Sequence, residues 1–386
     1  MKILHITNNL WSGGVATFLI ELLNYLSMEN EVTLLLLGKD DEPYIKKKFN
    51  SNVKVIFLAQ EKLYSIKNVL KIRKYIKEND IIHAHLCPSQ FLMNLSGIFL
   101  KKKFIITEHS ATNNRRKYRI FKILEKILYK KYNKIIAVSE DVKENLLNWI
   151  GRENNKRVEV IYNGIDLKKF KEAKNIRKEL WKLKENEKVI FMVARFMKTK
   201  DHKTLVNSLK LLPENIKCLL VGVGETKKEI EEYVKSLKLE KRIKFLGFRE
   251  DIGNIMKSCD LGILSTNFEG FGIVAVESLA TGTLMLGSNV DGLKEVLKEE
   301  ELLFKKGNEN ELAEKIKILL YDTEKIKKLK QKIPNLIKNY SIEKMLEEYK
   351  KIYIIWFKIY KGRNNIFFLW FKNYFVIVVL YPKHLK

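Results

Sequence analysis

The chain has 386 residues, enough for two or three domains, and its 46% hydrophobic and 31% charged residues are typical of a globular protein. This composition excludes a single small module, a disordered chain and a collagen-like chain. The 73 Lys and Arg residues outnumber the 46 Asp and Glu residues by 27, so we expect a polyanionic partner. Charge alone leaves nucleic acid, phosphorylated ligands and an anionic lipid surface open.

Short apolar runs alternate with longer helical patterns along the chain, which predicts βαβ units and parallel sheets. In the first half, the predicted strands are 3–7, 31–37, 81–84, 104–107 and 135–138, and the predicted helices are 16–27, 65–77 and 115–132. In the second half, the predicted strands are 189–194, 217–221, 243–245, 261–264 and 283–286, and the helices are 202–212, 227–237, 252–257, 271–280 and 312–321. Two Rossmann-like domains follow, with ligands expected in the cleft between them.

The alternation breaks at residues 160–170, where Asn163-Gly164 is a turn signal. We interpret this break, with a predicted polar helix that runs to residue 184, as the connection between the domains. Residues 1–165 then form the first domain, 166–345 the second, and 346–386 a C-terminal helix with an apolar aromatic tail. For the tail we expect a membrane-surface anchor, with an aggregation-prone extension and an oligomer contact as alternatives.

The start of the chain and its cysteines bear on the compartment. The sequence begins with a strand pattern, so we expect no signal peptide. Cys87, Cys218 and Cys259 lie far apart, so no disulfide framework is expected. Both observations predict a cytoplasmic protein.

The strongest candidate site is the segment EGFGIVAVE at residues 269–277, which follows a predicted strand. Glu269 falls in the strand-to-helix turn, and the glycines leave backbone N–H groups open at a helix N-terminus, where anions bind. Glu277 lies within the mostly apolar helix and needs a hydrogen-bond partner, which sugar hydroxyls would supply. The alternative is that Glu269 is a solvated turn residue and Glu277 pairs within the core.

Basic and glycine-rich turns follow other strands. Arg195 and Lys200 come after the first strand of the second half, where a guanidinium and an ammonium can together hold a diphosphate; an ordinary basic loop is the alternative. Gly13-Gly14 and Gly222-Val-Gly224 offer backbone that can approach a phosphate closely. Lys227 stands where a dinucleotide-binding fingerprint has its third glycine, so a nicotinamide or flavin cofactor is not favoured.

Three of the six histidines lie at strand ends. His83 and His85 are two residues apart and therefore share one face of a strand. The sequence supports no third metal ligand beside them, so we expect His83 to be a hydrogen-bonded core residue and His85 a hydrogen-bonding residue of the cleft. His109 is the best candidate for a polar group that faces the cleft. We predict no metal site.

Residues 115–134 hold nine Lys or Arg and one acid, and apolar residues recur there at helical spacing. This pattern predicts a basic amphipathic helix. We expect its apolar stripe to pack into the core, with insertion into lipid as the alternative, and its basic face to meet anionic lipid. No nucleic-acid-binding module is recognisable, so no nucleic acid is expected as a partner.

In their order along the chain, these motifs resemble glycosyltransferase family 4, the retaining, nucleotide-sugar-dependent enzymes with the two-domain GT-B fold. The resemblance covers residues 1 to about 350, and its most specific part is E-G-F-G-x-x-x-x-E at 269–277. The supporting motifs are Gly13-Gly14, Thr107-Glu-His109, Val138-Ser139, residues 161–166, Arg195 with Lys200, Gly222-x-Gly224 and residues 245–247.

The resemblance implies roles for individual residues. Glu277 would bind the ribose of the nucleotide and Glu269 the hydroxyls of the donor sugar. Arg195 and Lys200 would neutralise the diphosphate as it leaves. His109, from the first domain, would complete the catalytic set of Arg195, Lys200 and Glu269. The other residues implied in donor binding are Phe271 and Gly272, which would offer backbone N–H groups, Ile273 beside them, Gly14, Gly222, and Gly247, Phe248 and Arg249 near the base.

The resemblance also implies an activity. It is that of a hexosyltransferase of cell-surface polysaccharide synthesis, which moves a sugar from a nucleoside-diphosphate sugar to a glycan or lipid-linked acceptor. A UDP-sugar is the donor that we expect first. The resemblance implies retention of anomeric configuration and no metal or other cofactor. The basic helix and the tail predict peripheral binding to anionic lipid at the inner face of the plasma membrane. A GT-B nucleotide-sugar epimerase and a non-catalytic polyanion- or membrane-surface-binding protein are the alternatives.

Overall fold

The computed structural model describes residues 1–10, 13–38, 46–58, 65–110, 116 and 118–370, without the side chains of residues 66, 119 and 359–370. The strands of its first sheet are β1 Lys2–Thr7, β2 Glu31–Leu36, β3 Val53–Phe57, β4 Ile81–His85, β5 Lys103–Glu108, β6 Lys134–Ala137 and β7 Val158–Val160. Those of its second sheet are β8 Lys188–Val193, β9 Ile216–Val221, β10 Ile243–Gly247, β11 Leu261–Leu264, β12 Met285–Ser288 and β13 Leu303–Phe304.

Both sheets are parallel and doubly wound. Their strand orders are β3-β2-β1-β4-β5-β6-β7 and β10-β9-β8-β11-β12-β13. In each, the order reverses beside the first strand of the domain, between β1 and β4 and between β8 and β11, which is where such sheets bind ligands. The predicted fold class of two Rossmann-like domains is therefore confirmed.

The helices of the described residues cover the faces of the two sheets. They are α1 Gly14–Leu26, α2 Ile66–Glu78, α3 Ser89–Ser96, α4 Arg119–Tyr129, α5 Glu140–Ile150, α6 Leu167–Lys171, α7 His202–Lys210, α8 Lys227–Ser236, α9 Ile252–Lys257, α10 Ile273–Ala280, α11 Leu293–Leu297, α12 Glu309–Tyr321, α13 Thr323–Ile337 and α14 Ile342–Trp370. No described helix is both long enough and apolar enough to cross a membrane.

The predicted polar helix up to residue 184 is wrong. The helix α6 ends at Lys171, and only a short 3₁₀ turn, Lys178–Trp181, follows. The backbone N–H of Lys174 donates to Asn254 Oδ1 at 2.8 Å, and that of Ile176 donates to Ser258 Oγ at 2.6 Å. Because side chains on and beside α9 take up these N–H groups, this part of the connection is extended along the second domain.

The long helix α14 returns to the first domain. It begins where the two domains join, since Ile342 N–H donates to the carbonyl oxygen of Ile165 at 2.9 Å and Ile165 N–H donates to that of Tyr340 at 3.0 Å. Further along, Tyr349 and Tyr353 are buried in the same apolar core as β1 and α1. The chain therefore crosses back over the junction. The predicted tail from residue 371 onward lies outside the described residues.

The helix α4 reverses the expected orientation of its apolar stripe. Ile120, Ile123 and Ile127 are 69%, 62% and 56% exposed, so the expectation that the stripe packs into the core is wrong. The buried face carries Glu125, which accepts a hydrogen bond from Trp149 Nε1 at 2.7 Å, and Tyr129, whose hydroxyl donates to the buried Glu108. Polar anchors hold this helix to the domain and leave its isoleucines facing solvent.

Candidate functional site

The carboxyl ends of the two sheets face each other across a cleft, and loops from both sides touch. Ser139, after β6, donates its hydroxyl to the carbonyl oxygen of Gly270 at 2.9 Å. Gly292 N–H, after β12, donates to Asp141 Oδ2 at 2.9 Å. The loops that follow β6 and β12 therefore each contact the opposite domain, and together they form a seam between the two domains.

Glu295 reinforces this seam from the second domain. Its carboxylate accepts hydrogen bonds from the backbone N–H groups of Glu140 at 3.1 Å and Asp141 at 3.3 Å, at the N-terminus of α5. A carboxylate is favourable there because free N–H groups and the helix dipole make the end positive. Sequence reasoning missed Glu295, since its partners lie about 150 residues away and no local pattern marks it.

The EGFG turn is held in a conformation that requires glycine. Gly272 has φ 88° and ψ 51°, in the left-handed region, and precedes α10. Phe271 is buried, and its ring packs edge-on against Tyr340, with centroids 5.1 Å apart. The side chain thus anchors the turn that leads into the N-terminus of α10, the end of a helix at which anions bind.

The structure brings Lys200 and Glu269 together. Lys200 Nζ forms an ion pair and hydrogen bond with Glu269 Oε2, and about four-fifths of each side chain is buried. Backbone contacts fix both loops, because Asn267 N–H donates to the carbonyl oxygen of Thr199 at 2.9 Å, and Lys200 bridges to Thr266. Two of the predicted site residues, from the loops after β8 and β11, therefore form one charged pair.

The glycine turn of the first domain lies against the same region. A Cβ added to Gly13 would lie 4.0 Å from Arg195 Cδ, and one added to Gly14 would lie 3.0 Å from Ile273 Cδ1. Arg195, Ile273 and the turn before α1 are therefore neighbours across the cleft. This closeness gives Gly14 a reason to lack a side chain.

Gly222 and the segment from Gly247 to Arg249 form the next part of the strand edge. Gly222 has φ 142°, and a Cβ added to it would come 2.1 Å from the carbonyl oxygen of Ala194. The backbone N–H of Gly222 donates to the carbonyl oxygen of Gly247 at 2.8 Å. Phe248 is exposed. Arg249 donates two hydrogen bonds to Asp251, at 2.7 and 2.6 Å, which raise the pKa of Arg249. The guanidinium of Arg249 is therefore paired with a carboxylate of its own loop.

Glu277 sits in a poorly solvated position on α10. Burial raises the pKa of its carboxyl to about 7, and the positive charge of Lys169 on α6 only partly opposes this effect. The carboxyl therefore keeps its proton to a higher pH than an exposed glutamate does. Hydroxyl groups that donate to the carboxylate would favour its charged form.

The histidines of the first domain form one buried network. His5, which sequence reasoning passed over, lies beside His83 in the β1–β4 register. Ring nitrogens of His5, His83 and His85 lie within 4.8 Å of one another, close enough to consider one metal ion. All six of their ring nitrogens already have hydrogen-bond partners, however, so a metal would have to displace these bonds. His85 links the network to His109, at the edge of the cleft.

Two protein-family models match the chain, one on each domain. The model described as Glycosyltransferase Family 4 matches residues 12–169, and the one described as Glycosyl transferases group 1 matches residues 173–336. The two matches leave only a few residues between them, near the connection between the domains.

Individual proteins are similar over most of the chain. An uncharacterised glycosyltransferase of Methanocaldococcus jannaschii is 31% identical over 305 residues, which are 74% of this chain and 79% of the relative. The 4-α-N-acetylgalactosaminyltransferase of Campylobacter jejuni that acts on N-acetylgalactosamine-N,N'-diacetylbacillosaminyl-diphospho-undecaprenol is 26% identical over 344 residues, 84% and 91% of the two chains. The crystal structure of HepE of Anabaena with UDP and glucose aligns with a TM-score of 0.81 at 20% identity, over 91% of this chain and 99% of that one.

Proposed function

This chain belongs to the family 4 glycosyltransferases, and from that premise we propose that it transfers a sugar from a UDP-sugar to a lipid-linked glycan acceptor with retention of anomeric configuration. The observation that carries the proposal is the Lys200–Glu269 pair, which lies at the seam beside the EGFG turn. One partner is a cation for a diphosphate and the other a hydrogen-bond acceptor for sugar hydroxyls. A relative of this chain acts on a diphospho-undecaprenol-linked sugar, which supports the class of acceptor.

The proposed reaction stabilises a leaving group more than it needs an enzyme nucleophile. The bond between the anomeric carbon and the diphosphate oxygen breaks, while a bond to the acceptor oxygen forms on the same face of the sugar. The proton of the acceptor hydroxyl passes to the departing diphosphate oxygen. Arg195, Lys200 and the N–H groups at the start of α10 neutralise the charge that develops there, in place of a metal ion.

Binding of the donor would reorganise the charges of the pair. In the structure, Lys200 is neutralised by Glu269. A diphosphate would take over the ammonium, and the carboxylate would turn to the hydroxyls of the sugar. Because both side chains are mostly buried, their electrostatic interactions with the ligand are stronger than they would be in water.

We also propose that the enzyme binds peripherally to anionic lipid at the inner face of the plasma membrane. The exposed isoleucine stripe of α4, made of Ile120, Ile123 and Ile127, supports this because such a face is costly to leave in water. The same segment is basic, since residues 115–134 hold nine Lys or Arg. A lipid-linked acceptor would then meet the cleft at the membrane surface.

A panel of donors tests the transfer. The purified full-length protein is incubated with UDP-, GDP- and ADP-sugars, with and without a polyprenyl-diphosphate-linked glycan. We expect nucleotide release from a UDP-sugar only when the acceptor is present, and a product whose anomeric configuration by NMR matches that of the donor. A changed sugar still attached to its nucleotide would instead indicate an epimerase. Tight polyanion binding without any nucleotide-sugar turnover would indicate a non-catalytic protein.

A further inference from the structure

A hydrogen-bonded chain runs through the core of the first domain to the cleft. Tyr353, on α14, places its hydroxyl 2.6 Å from His83 Nδ1 and 3.4 Å from His5 Nε2. His5 Nδ1 lies 3.0 Å from His85 Nε2, and His85 Nδ1 lies 3.3 Å from His109 Nε2. The chain therefore links the C-terminal helix to the histidine whose carbonyl group touches the EGFG turn.

Burial disfavours the charged form of all four histidines in this hydrogen-bonded network. Burial lowers the pKa of His5 and of His109 to about 3, and it holds the pKa values of His83 and His85 well below their usual range. A neutral imidazole has one N–H donor and one acceptor nitrogen. If one nitrogen of a ring accepts, the other must donate, so a single choice of direction sets every bond along the chain.

The shortest bond makes that choice. A separation of 2.6 Å is typical of a hydroxyl donor and shorter than most N–H···O bonds, so Tyr353 donates to His83 Nδ1. His83 then donates from Nε2 to Thr107 Oγ1, 2.8 Å away. The oxygen of Tyr353 remains as an acceptor for the N–H at Nε2 of His5.

The same direction continues toward the cleft. His5 accepts at Nδ1 from the Nε2–H of His85, and His85 accepts at Nδ1 from the Nε2–H of His109. His109 is then left with a lone pair at Nδ1. The described part of the chain records no hydrogen bond to that nitrogen, and His109 is the least buried of the four histidines.

We propose that Tyr353 is a positioning residue for sugar transfer, which acts through His5 and His85 to hold His109 as the Nε2–H tautomer. Nδ1 of His109 then accepts a hydrogen bond from a hydroxyl group of the donor sugar or the acceptor. This role rests on the proposed function. It also gives α14 a part in the active site, although the helix lies on the far side of the histidines from the cleft.

The tautomer can be measured without any substrate. The protein has six histidines, so a spectrum of ¹⁵N-histidine-labelled enzyme that correlates ring nitrogens with ring protons can be assigned by single substitutions. We expect His109 to carry its proton on Nε2. A wild-type His109 protonated on Nδ1 would overturn the proposal, whether or not the enzyme transfers sugar.

Two conservative variants on the same helix then separate positioning from packing. Tyr353→Phe removes the hydroxyl that directs the chain of hydrogen bonds. Tyr349→Phe removes a hydroxyl whose one hydrogen bond among the described residues is to Thr107 Oγ1, at 3.2 Å. We expect Tyr353→Phe to give mixed tautomers of His109 and to lower kcat about tenfold, with UDP affinity within about twofold of wild type. Tyr349→Phe should retain the tautomer and kcat.

Two results with these variants would contradict the proposal. Equal effects of the two variants, or a loss of kcat in Tyr353→Phe with an unchanged His109 tautomer, would show a merely structural role. If Tyr353→Phe does not fold, His5→Asn is used instead, because it breaks the same chain of hydrogen bonds between Tyr353 and His85. We expect it to give the same mixture of His109 tautomers. If wild type transfers no sugar, the proposed function fails, while the tautomer spectra still report on the chain.

Discussion

The carbonyl oxygen of His109 lies against Gly270, so closely that a Cβ added to Gly270 would come within 2.1 Å of it. His109 follows β5 of the first domain, and Gly270 belongs to the EGFG turn of the second. Real Cβ atoms do not come this close to backbone oxygen, so a side chain at position 270 must displace the EGFG turn or the loop after β5. The close contact between these two loops therefore requires glycine at position 270.

Gly270→Ala should therefore fold but transfer sugar poorly. We expect a fall in kcat/KM of about a hundredfold or more, because an opened seam moves the reacting groups out of position. Steady-state transfer kinetics measure the effect, and thermal melting verifies the fold. Gly253→Ala is the matched control, since its Cβ would meet only side-chain atoms at 3.3 Å or more. A fully active Gly270→Ala would show that catalysis does not need this contact.

Lys200→Ala should reduce turnover by about two orders of magnitude, as expected when one charge donor to the leaving group is removed. Arg195→Ala should have a similar effect. Lys203→Ala is the matched control, because Lys203 forms an exposed ion pair with Glu229 on the outside of the domain. Rates at saturating donor distinguish the variants. Near-normal transfer by both Lys200→Ala and Arg195→Ala would refute the proposed diphosphate clamp.

Glu277→Gln should stabilise the protein while it weakens donor binding. The pKa of Glu277, about 7 when folded against 4.5 ordinarily, means that the folded state binds this proton more tightly. The wild type therefore loses stability as pH rises from about 4.5 through 7, whereas Glu277→Gln does not. At pH 8 we expect the variant to gain about 1 to 3 kcal/mol in the free energy of unfolding.

Denaturant unfolding at pH 5 and pH 8 and calorimetric titration with UDP measure the two effects of Glu277→Gln. The exposed Glu232→Gln is the control, for which we expect no change in either. A variant that is no more stable than wild type at pH 8 would mean that the Glu277 carboxylate already has a good partner in the free enzyme.

The sequence predicted most of the central strands because they are short, mostly apolar runs, such as LGIL in β11, which is fully buried. It missed β3 and β7, which lie at the two edges of the first sheet and carry exposed residues such as Lys54 and Glu159. Periodicity is weak where only part of a strand is buried. It also passed over α5, whose apolar positions are spread among polar ones.

The site was predictable in part for a related reason. The loops that carry Lys200 and Glu269 each follow a strand, and strand ends in parallel sheets converge, so local patterns were sufficient. The contacts of Glu295 with α5 and of Tyr353 with His5 join segments far apart in sequence, and no local spacing marks them. The orientation of α4 was missed because the spacing of its apolar residues shows that they share one face. The spacing does not show whether that face meets the core or solvent.

The exposed stripe of α4 leads to the last prediction. Each isoleucine that enters lipid would contribute about 2 kcal/mol, and each basic residue near an anionic surface about 1 kcal/mol. The triple substitution Ile120→Ser, Ile123→Ser and Ile127→Ser should therefore abolish the salt-resistant part of binding to phosphatidylglycerol-containing vesicles, which co-sedimentation measures.

Because polar residues hold the buried face of α4, the variant should melt like wild type. Leu211→Ser, an exposed leucine of the second domain, is the control. Equal vesicle binding by all three proteins, or none by wild type, would rule out α4 as a membrane contact and leave sugar transfer, which depends on other residues, unaffected.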